Sequence, residues 1–194
     1  MLYQNAIELS HEYMDKCIKP GDTVIDATAG NGNDTLFLAK LVGEEGKVYA
    51  FDIQPQAIEN TKKRLADNGV LERCDVILDG HQNMKKYVEA PVSAIMFNFG
   101  YLPGGDHNIF TTAPTSIAAI EAAMELISDD GIISLAIYYG GDSGFEEHDA
   151  LLPFLKSISN KEYSVLYHDF INYPNCPPLV VSITRSRSRC KKQS

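Results

Sequence analysis

A glycine-rich turn between a short hydrophobic strand and a helix is the feature that most constrains this fold. Residues 23–26 (TVID) are of strand length and largely apolar, and a helical pattern over residues 34–41 follows the turn. A second strand is predicted over residues 47–52 (KVYAFD). A strand, a helix and a further strand in this order form a βαβ unit, whose two strands lie parallel in one sheet. The chain is therefore expected to build a sheet that contains at least this parallel pair.

Strand and helix patterns keep alternating along the rest of the chain. Beyond a first helix around His11, helices are predicted over residues 55–68, 115–127 and 146–156, and strands over residues 74–78, 92–98, 131–139, 163–171 and 178–184. The last two strands flank a turn-rich segment and predict a closing hairpin. We expect an α/β fold with a mostly parallel seven-stranded sheet, helices on both faces and a C-terminal β-hairpin. Residues 1–184 are expected to form one domain, and residues 185–194 a basic, flexible tail.

Charge limits the partners that suit this chain. The formal net charge is −9, but the last ten residues hold five cations and no acid, so residues 1–184 carry −14. An acidic body disfavours nonspecific adhesion to duplex nucleic acid, whose affinity comes largely from phosphate neutralisation. A local basic patch would still allow it to bind a folded RNA. The tail is either an RNA-attracting arm or, as we favour, a solvated terminus without a specific role.

Targeting signals and paired cysteines are not apparent in the sequence. A basic segment followed by an apolar run is lacking at the N-terminus, so neither a signal peptide nor a membrane span is expected, and we predict a cytoplasmic protein without a membrane partner. Cysteines are scattered without a Cys-x-x-Cys pair, so we expect free thiols, no zinc site and no other metal. The cysteines are Cys17, Cys74, Cys176 and Cys190. A homodimer is left as an open alternative.

The glycine-rich turn, residues 26–34 (DATAGNGND), has the character of a ligand cradle. Its glycines let the backbone curve tightly and approach a ligand, although a turn selected for geometry alone is the alternative. Acids at both ends disfavour a phosphate, and the third glycine of the dinucleotide-binding pattern is missing, which weakens NAD. A zwitterionic amino-acid moiety suits the loop better, so S-adenosylmethionine is the predicted cofactor. The predicted contacts here are Asp26, Gly30, Asn31, Asn33 and Asp34.

Polar residues that follow the next two strands are candidates for the rest of the cofactor site. Asp52 ends the second strand, where a carboxylate can accept hydrogen bonds from both hydroxyls of a ribose. Gln54 either contacts the adenosine or lies at the surface before a proline. After the third strand, Asp79 and His81 are predicted to bracket an adenine ring, with a helix cap or a surface position as the alternative for His81.

The acceptor site is predicted on the loop after the fourth strand, residues 97–106 (FNFGYLPGGD). A loop of this length that is rich in aromatic residues and glycine favours a lid or substrate site over a simple connector. Tyr101 is the predicted substrate contact in this loop. Methyl transfer needs an in-line nucleophile shielded from water, and an amine must first lose a proton. We predict that Asp106 or His107 assists this loss and that Asn98 orients the amine through its side-chain carbonyl. Tyr138 either stacks on a base or packs internally.

The remaining nucleophiles and imidazoles are not expected to take part. A covalent mechanism at a pyrimidine ring is disfavoured because no cysteine lies in the acceptor loop, and Cys176 is only a remote candidate. His11 and His168 are expected to be packing or surface residues, and His148 a solvated helix residue.

Four blocks of residues together resemble one known family. They are residues 26–35 (DATAGNGNDT), 51–54 (FDIQ), 79–81 (DGH) and 97–106. The chain is similar over residues 1–184 to the MnmM/YtqB-like methyltransferases, often labelled rRNA methylases. The resemblance implies a Rossmann-like class I S-adenosylmethionine-dependent methyltransferase that methylates the exocyclic amine of 5-aminomethyl-2-thiouridine at the wobble position, in the anticodon region of tRNA. It also implies cofactor contacts for Asn31, Asn33, Asp52, Gln54 and His81.

Three other functions remain open on the sequence. The acidic body also suits a methyltransferase for a small metabolite, and an rRNA acceptor is a further alternative. A noncatalytic protein that binds adenosine or tRNA would share the same cofactor loop.

Overall fold

The computed structural model describes residues 5–89, 91–100, 112–138, 144–173 and 177–186, without the side chains of residues 144–147. The α-helices are α1 (Ala6–Cys17), α2 (Asn33–Val42), α3 (Pro55–Asp67), α4 (Ala113–Leu126) and α5 (Gly144–Ser157). Two short 3-10 helices cover Leu71–Arg73 and His81–Lys86. The strands are β1 (Thr23–Asp26), β2 (Lys47–Asp52), β3 (Cys74–Leu78), β4 (Val92–Asn98), β5 (Ile127–Ile137), β6 (Tyr163–His168) and β7 (Leu179–Arg185).

All seven strands join one sheet in the order β3-β2-β1-β4-β5-β7-β6. Strands β1 to β5 are parallel to one another, and β7 runs antiparallel to both β5 and β6. The predicted fold, a mostly parallel seven-stranded sheet with a C-terminal hairpin, is confirmed. The chain order reverses between β1 and β4, which leaves a crevice beyond the carboxyl ends of these strands.

Alternation of side chains along the strands divides the core into two layers. One layer contains Val24, Val48 and Met96 and packs with residues of α1, α2 and α3. The other contains Ile25 and Phe97 and packs with residues of α4 and α5. Both sheet faces are therefore covered, as a buried parallel sheet requires. Asp26, Asp52 and Asn98 end their strands on the first of these faces, because side chains alternate with a period of two.

Helix α1 is fixed on β5 and β6 by polar contacts. The Ser134 hydroxyl of β5 donates to the Ser10 hydroxyl of α1 at 3.0 Å, and both groups are buried. Tyr13 Oη lies 2.6 Å from His168 Nε2 at the end of β6. The same helix is capped at its start, where the Asn5 side chain accepts from the backbone amide of Glu8. These contacts hold one face of α1 against the sheet beside the crevice.

Strands β5 and β6 differ most from their predicted boundaries. Strand β5 begins at Ile127 and not at residue 131, because Ile127 pairs with Val92 before a register shift. Helix α4 therefore ends one residue earlier than predicted. Strand β6 ends at His168 and not at residue 171, because its last partner is Val180, near the start of β7. In both cases a neighbouring strand, which lies far away in the sequence, decides where pairing stops.

Among the described residues, no helix is long and apolar enough to cross a membrane. Two of the four cysteines lie in this part of the chain, and both are free thiols. Burial raises the pKa of the Cys74 thiol to about 11, so this group is unreactive near neutral pH. Cys176 lies outside the described residues, as do Cys190 and residues 187–194 of the predicted tail.

Candidate functional site

The crevice at the carboxyl ends of β1, β2 and β4 brings most of the predicted site residues together. The turn between β1 and α2 forms its floor, and two glycines there have left-handed backbones: Gly30 has a φ of 52° and Gly32 a φ of 76°. The Thr61 hydroxyl of α3 donates to the Gly30 carbonyl oxygen at 3.0 Å. A Cβ atom at position 32 would lie 2.9 Å from Thr61 Cα. The turn is thus clamped closely on α3, which only glycine at position 32 allows.

Asn31 is held on the outer side of this turn. Its side-chain oxygen accepts from Asn60 Nδ2 at 2.8 Å, and its carbonyl oxygen accepts from Arg64 Nε at 2.7 Å. Both donors belong to α3. A polar cavity of about 480 Å³ adjoins this contact and is lined by Asn31, Asn33, Asn60, Lys63, Arg64, Asp67 and Asn68. The two predicted cofactor contacts Asn31 and Asn33 therefore both line the α3 side of the loop.

Asp52 links the loop to the end of β2. Its Oδ2 atom accepts from the Gly30 amide at 2.9 Å, and its Oδ1 atom accepts from the Gln54 amide at 2.9 Å. A carboxylate has about four acceptor positions, so Asp52 keeps capacity for two more donors. Gln54 is buried, so the alternative of a surface position is wrong.

Two apolar side chains that lie beside Asp52 are not predicted from the sequence as part of the site. Ile53, its neighbour, and Leu78, its partner in the β2–β3 register, are each 54% exposed. Exposed apolar side chains next to a hydrogen-bonding carboxylate suit the faces of a planar base. An isoleucine and a leucine at the ends of strands carry no distinctive sequence signal.

His81 lies below this edge of the crevice as a buried, neutral group. Burial lowers the pKa of His81 to about 4, so the ring is neutral at pH 7. Its Nδ1 atom lies 3.2 Å from the Ala27 carbonyl oxygen, which can only accept, so Nδ1 carries the proton. The ring also makes T-shaped contacts with the rings of Phe97 and Phe99. His81 starts a 3-10 helix, and the alternative of a surface position is wrong.

The Asp79 carboxylate accepts hydrogen bonds from residues that follow it closely in the sequence. It accepts from Asn83 Nδ2 at 2.8 Å, from the Tyr87 hydroxyl at 2.9 Å and from the Gly80 amide. These hydrogen bonds, that of Asn83 foremost, lower the pKa of the Asp79 carboxyl below its usual value. Asp79 is a half-buried, ionised acceptor at the outer rim of the site.

Asp26 lies beneath the loop and not on its surface. It is 1% exposed, and its two oxygens accept from the Thr35 hydroxyl at 2.6 Å and from the Thr28 amide at 3.1 Å. Burial, followed by the nearby charge of Asp34, raises the pKa of Asp26 to about 7. This placement favours a role in holding the loop over direct contact with a ligand.

Asn98, at the end of β4, is fixed from two sides. Its backbone amide donates to the Thr28 hydroxyl oxygen at 2.8 Å, and its Nδ2 atom lies 3.4 Å from Asp34 Oδ2. The other oxygen of Asp34 lies 2.8 Å from His11 Nε2. The sequence predicts a packing or surface residue at His11, and its ring does stack on Phe37, but α1 also brings its Nε2 atom to the crevice. No local sequence pattern signals this pairing, because the partners are 23 residues apart.

The acceptor side of the crevice is described only in part. Tyr138, at the end of β5, is 40% exposed, and a Cβ at Gly100 would lie 3.8 Å from its ring. Tyr138 therefore lies at the surface on this side of the crevice. The predicted residues Tyr101, Asp106 and His107 lie outside the described residues. Within the described ranges, no cluster of three His, Cys, Asp or Glu residues could hold a metal ion.

The residues present fit S-adenosylmethionine. The positive-φ glycines let the backbone approach a ligand closely, and Asp52 keeps acceptor capacity for the two ribose hydroxyls. Ile53 and Leu78 add an apolar surface for a base at the same edge. Asp34 is an acid at the end of the loop, beside Asn98, where an ammonium group would be favoured.

Comparisons with known proteins agree with this reading of the crevice. Residues 48–184 match the family model described as "Putative rRNA methylase". The crystal structure of a "putative rRNA-methylase" from Clostridium thermocellum is 53% identical, covers 96% of this chain and 100% of its own, and has a TM-score of 0.94. A "putative methyltransferase" from Streptococcus mutans, solved in complex with SAH, is 37% identical over 95% of this chain and 99% of its own, with a TM-score of 0.86. The chloroplastic tRNA (mnm(5)s(2)U34)-methyltransferase of Arabidopsis thaliana is 37% identical over 94% of this chain and 70% of that protein.

Proposed function

The chain belongs to the rRNA methylase family of S-adenosylmethionine-dependent methyltransferases, and from this premise we propose that it methylates a tRNA. The acceptor we propose is the exocyclic amine of 5-aminomethyl-2-thiouridine at the wobble position. The product would be the 5-methylaminomethyl nucleoside.

One observation carries the choice of acceptor. The relative from Arabidopsis thaliana, which is named a tRNA (mnm(5)s(2)U34)-methyltransferase, is 37% identical to this chain over 94% of this chain's length. The aligned region is therefore not limited to the cofactor loop, which many methyltransferases share. It extends over the acceptor side of the sheet as well.

The geometry of the crevice supports an amine acceptor. Bound S-adenosylmethionine supplies an electrophilic methyl group on a sulfonium. Asn98 has its Nδ2 atom directed to Asp34, which leaves its side-chain oxygen as an acceptor for an amine N–H. A hydrogen bond of this kind orients the nitrogen lone pair, and orientation supplies much of the rate in methyl transfer.

The cofactor contacts follow from the positions of the same elements. We propose that Asp52 binds the ribose hydroxyls and that the Gly30–Gly32 turn receives the methionine moiety. Asp79 retains acceptor capacity for the adenine amino group, and Ile53 lies against the ring. His81 and Asp26 support the cofactor site from beneath it, since both side chains are buried and hydrogen-bonded to other residues of the chain.

The residues beyond the described ranges keep the roles predicted from sequence. We propose Asp106 or His107 as the group that receives the amine proton, and Tyr101 with Tyr138 as contacts to the substrate nucleoside. The proposed partner is the anticodon region of tRNA, and the proposed location is the cytoplasm. A homodimer is a further hypothesis, which the mass of the protein in solution would test.

The test is to offer several acceptors to the purified protein with methyl-labelled S-adenosylmethionine. The acceptors are tRNA from cells that lack this methyltransferase, ribosomal RNA and a small-molecule extract. We expect label in the tRNA alone, and less label in tRNA from cells that already methylate this position. Labelled metabolites with unlabelled tRNA would overturn the proposal, as would calorimetric binding of S-adenosylmethionine without turnover on the precursor tRNA.

A further inference from the structure

We propose that His11 of α1 is a positioning residue of the acceptor site, which acts through Asp34 on the side-chain amide of Asn98. This inference rests on the proposed function, because it concerns how that site holds its amine. It concerns a residue outside the part of the chain matched by the family model, residues 48–184.

The His11 ring is fixed by two contacts on the α2 helix. It stacks on Phe37 with 3.8 Å between ring centroids and 9° between planes. Its Nε2 atom lies 2.8 Å from Asp34 Oδ1, and since a carboxylate only accepts, Nε2 is the donor. Asp34 and Phe37 are three residues apart on one helix, so they present both contacts to the same ring.

The helix that carries His11 is itself held firmly. Its neighbour Ser10 is hydrogen-bonded to Ser134 of β5, and Met14, one turn further, is fully buried. The His11 side chain remains 29% exposed. A histidine needed only for packing would bury its ring, whereas this ring is placed with its donor nitrogen on a carboxylate at the crevice.

The consequence for Asn98 follows from the asymmetry of its amide. Asp34 Oδ2 accepts from the Asn98 amide nitrogen, so the opposite orientation would bring two oxygens together and is disfavoured. The contact is long, at 3.4 Å, so it depends on how accurately Asp34 is held. His11 supplies that restraint at the other oxygen of Asp34. The side-chain oxygen of Asn98 is thereby kept free for the amine of the substrate.

Two substitutions separate hydrogen bonding from packing at this position. His11→Phe keeps a ring to stack on Phe37 but has no donor, whereas His11→Gln keeps a donor and loses the ring. We expect His11→Phe to lower the single-turnover rate of methyl transfer to precursor tRNA about tenfold, with S-adenosylmethionine affinity within about twofold. His11→Gln should retain most of the rate. The thermal midpoint is measured for each variant, so that a loss of fold is recognised.

A double-mutant cycle with Asn98→Ala tests whether His11 acts through Asn98. We expect His11→Phe to cause little further loss in the Asn98→Ala background, because the group that it orients is gone. Additive losses would overturn the inference, and so would equal rates for His11→Phe and the wild type. The same holds if His11→Gln loses as much rate as His11→Phe. If the wild-type chain methylates no precursor tRNA, the proposed function fails, and this inference fails with it.

Discussion

The two halves of the crevice are built by different kinds of contact. The cofactor half, Gly30 with Asp52, Gln54 and His81, is held by bonds between side chains and the backbone. In the acceptor half, His11 and Asn98 both contact Asp34, the acid at the end of the cofactor loop, and these contacts run from one side chain to another. The first kind fixes the path of the chain, and the second fixes the orientation of a few polar groups. We therefore expect substitutions in the cofactor half to reduce binding, and those in the acceptor half to reduce rate.

The largest effect should come from Asp52→Ala. This change removes the charge-assisted bonds to the Gly30 amide of the loop and to the Gln54 amide, together with the proposed acceptor for the ribose, so S-adenosylmethionine affinity should fall by about 100-fold or more. Calorimetric titration measures it. Asp75→Ala is the matched control, since Asp75 lies on the neighbouring strand and pairs with Lys47 at the surface. An affinity within threefold of wild type for Asp52→Ala would break the division between the two halves.

Asn98→Ala probes the other half. We expect the rate of methyl transfer to fall about 100-fold, because the amine loses its orienting acceptor, while cofactor affinity stays nearly unchanged. Single-turnover kinetics and calorimetry measure the two quantities on one preparation. Parallel losses in rate and affinity would show that Asn98 belongs to the cofactor half.

Gly32→Ala should reduce both stability and cofactor affinity. An alanine at a φ of 76° is strained, and its Cβ meets the Thr61 backbone at 2.9 Å, so we expect a loss of about 3 kcal/mol in the free energy of unfolding. Gly69→Ala is the control, because Gly69 has a φ of 68° with nothing within 4 Å of a Cβ. That control should lose about 1 kcal/mol, from backbone strain alone. Equal losses for the two variants, from denaturant unfolding, would contradict a tight clamp at Gly32.

Asp26→Asn should change how stability depends on pH. The folded-state pKa of Asp26 is raised to about 7 from 3.8, so the folded chain binds a proton that the unfolded chain releases. The wild type should therefore lose stability as pH rises between these values, by about 1 kcal/mol per pH unit, with no further loss from Asp26 above about 7. The free energy of unfolding of Asp26→Asn should show a shallower decline over that window. Parallel curves for the two proteins would contradict a protonated Asp26.

The smallest effect concerns the polar cavity beside α3. Lys63 lines this cavity and, among the described residues, forms no ion pair, so it is available to a tRNA phosphate. Lys63→Ala should raise the KM for tRNA about twofold and reduce the salt slope of binding by about one. Lys156→Ala is the control, because Lys156 is an exposed lysine on α5, which packs on the opposite face of the sheet. Identical effects of the two changes would remove this cavity from the tRNA contact.

The same contrast explains what the sequence could predict. The cofactor half follows from local patterns, a glycine turn after a strand and an acid at the end of the next strand, so the sequence predicts that residues 26–34 and Asp52 come together, and the Gly30–Asp52 hydrogen bond joins them. The contact of His11 with Asp34 is not predicted, because it depends on α1 folding back over the sheet to reach Asp34. The boundary of β5 was missed for a related reason, since pairing of Ile127 with Val92 outweighs the helical pattern of its segment. Ile53 and Leu78 can be recognised as candidate ligand contacts only from their exposure in the folded chain.

The position of the transferred methyl group tests the central claim most directly. An anticodon stem-loop that carries 5-aminomethyl-2-thiouridine at the wobble position is incubated with S-adenosylmethionine and the wild-type chain, beside the same stem-loop with unmodified uridine. Fragmentation mass spectrometry of the digested nucleosides then locates the methyl group. We expect it on the exocyclic nitrogen of the modified nucleoside, and no transfer to the unmodified loop. A methyl group on the ring or ribose, or equal transfer to both stem-loops, would contradict the account.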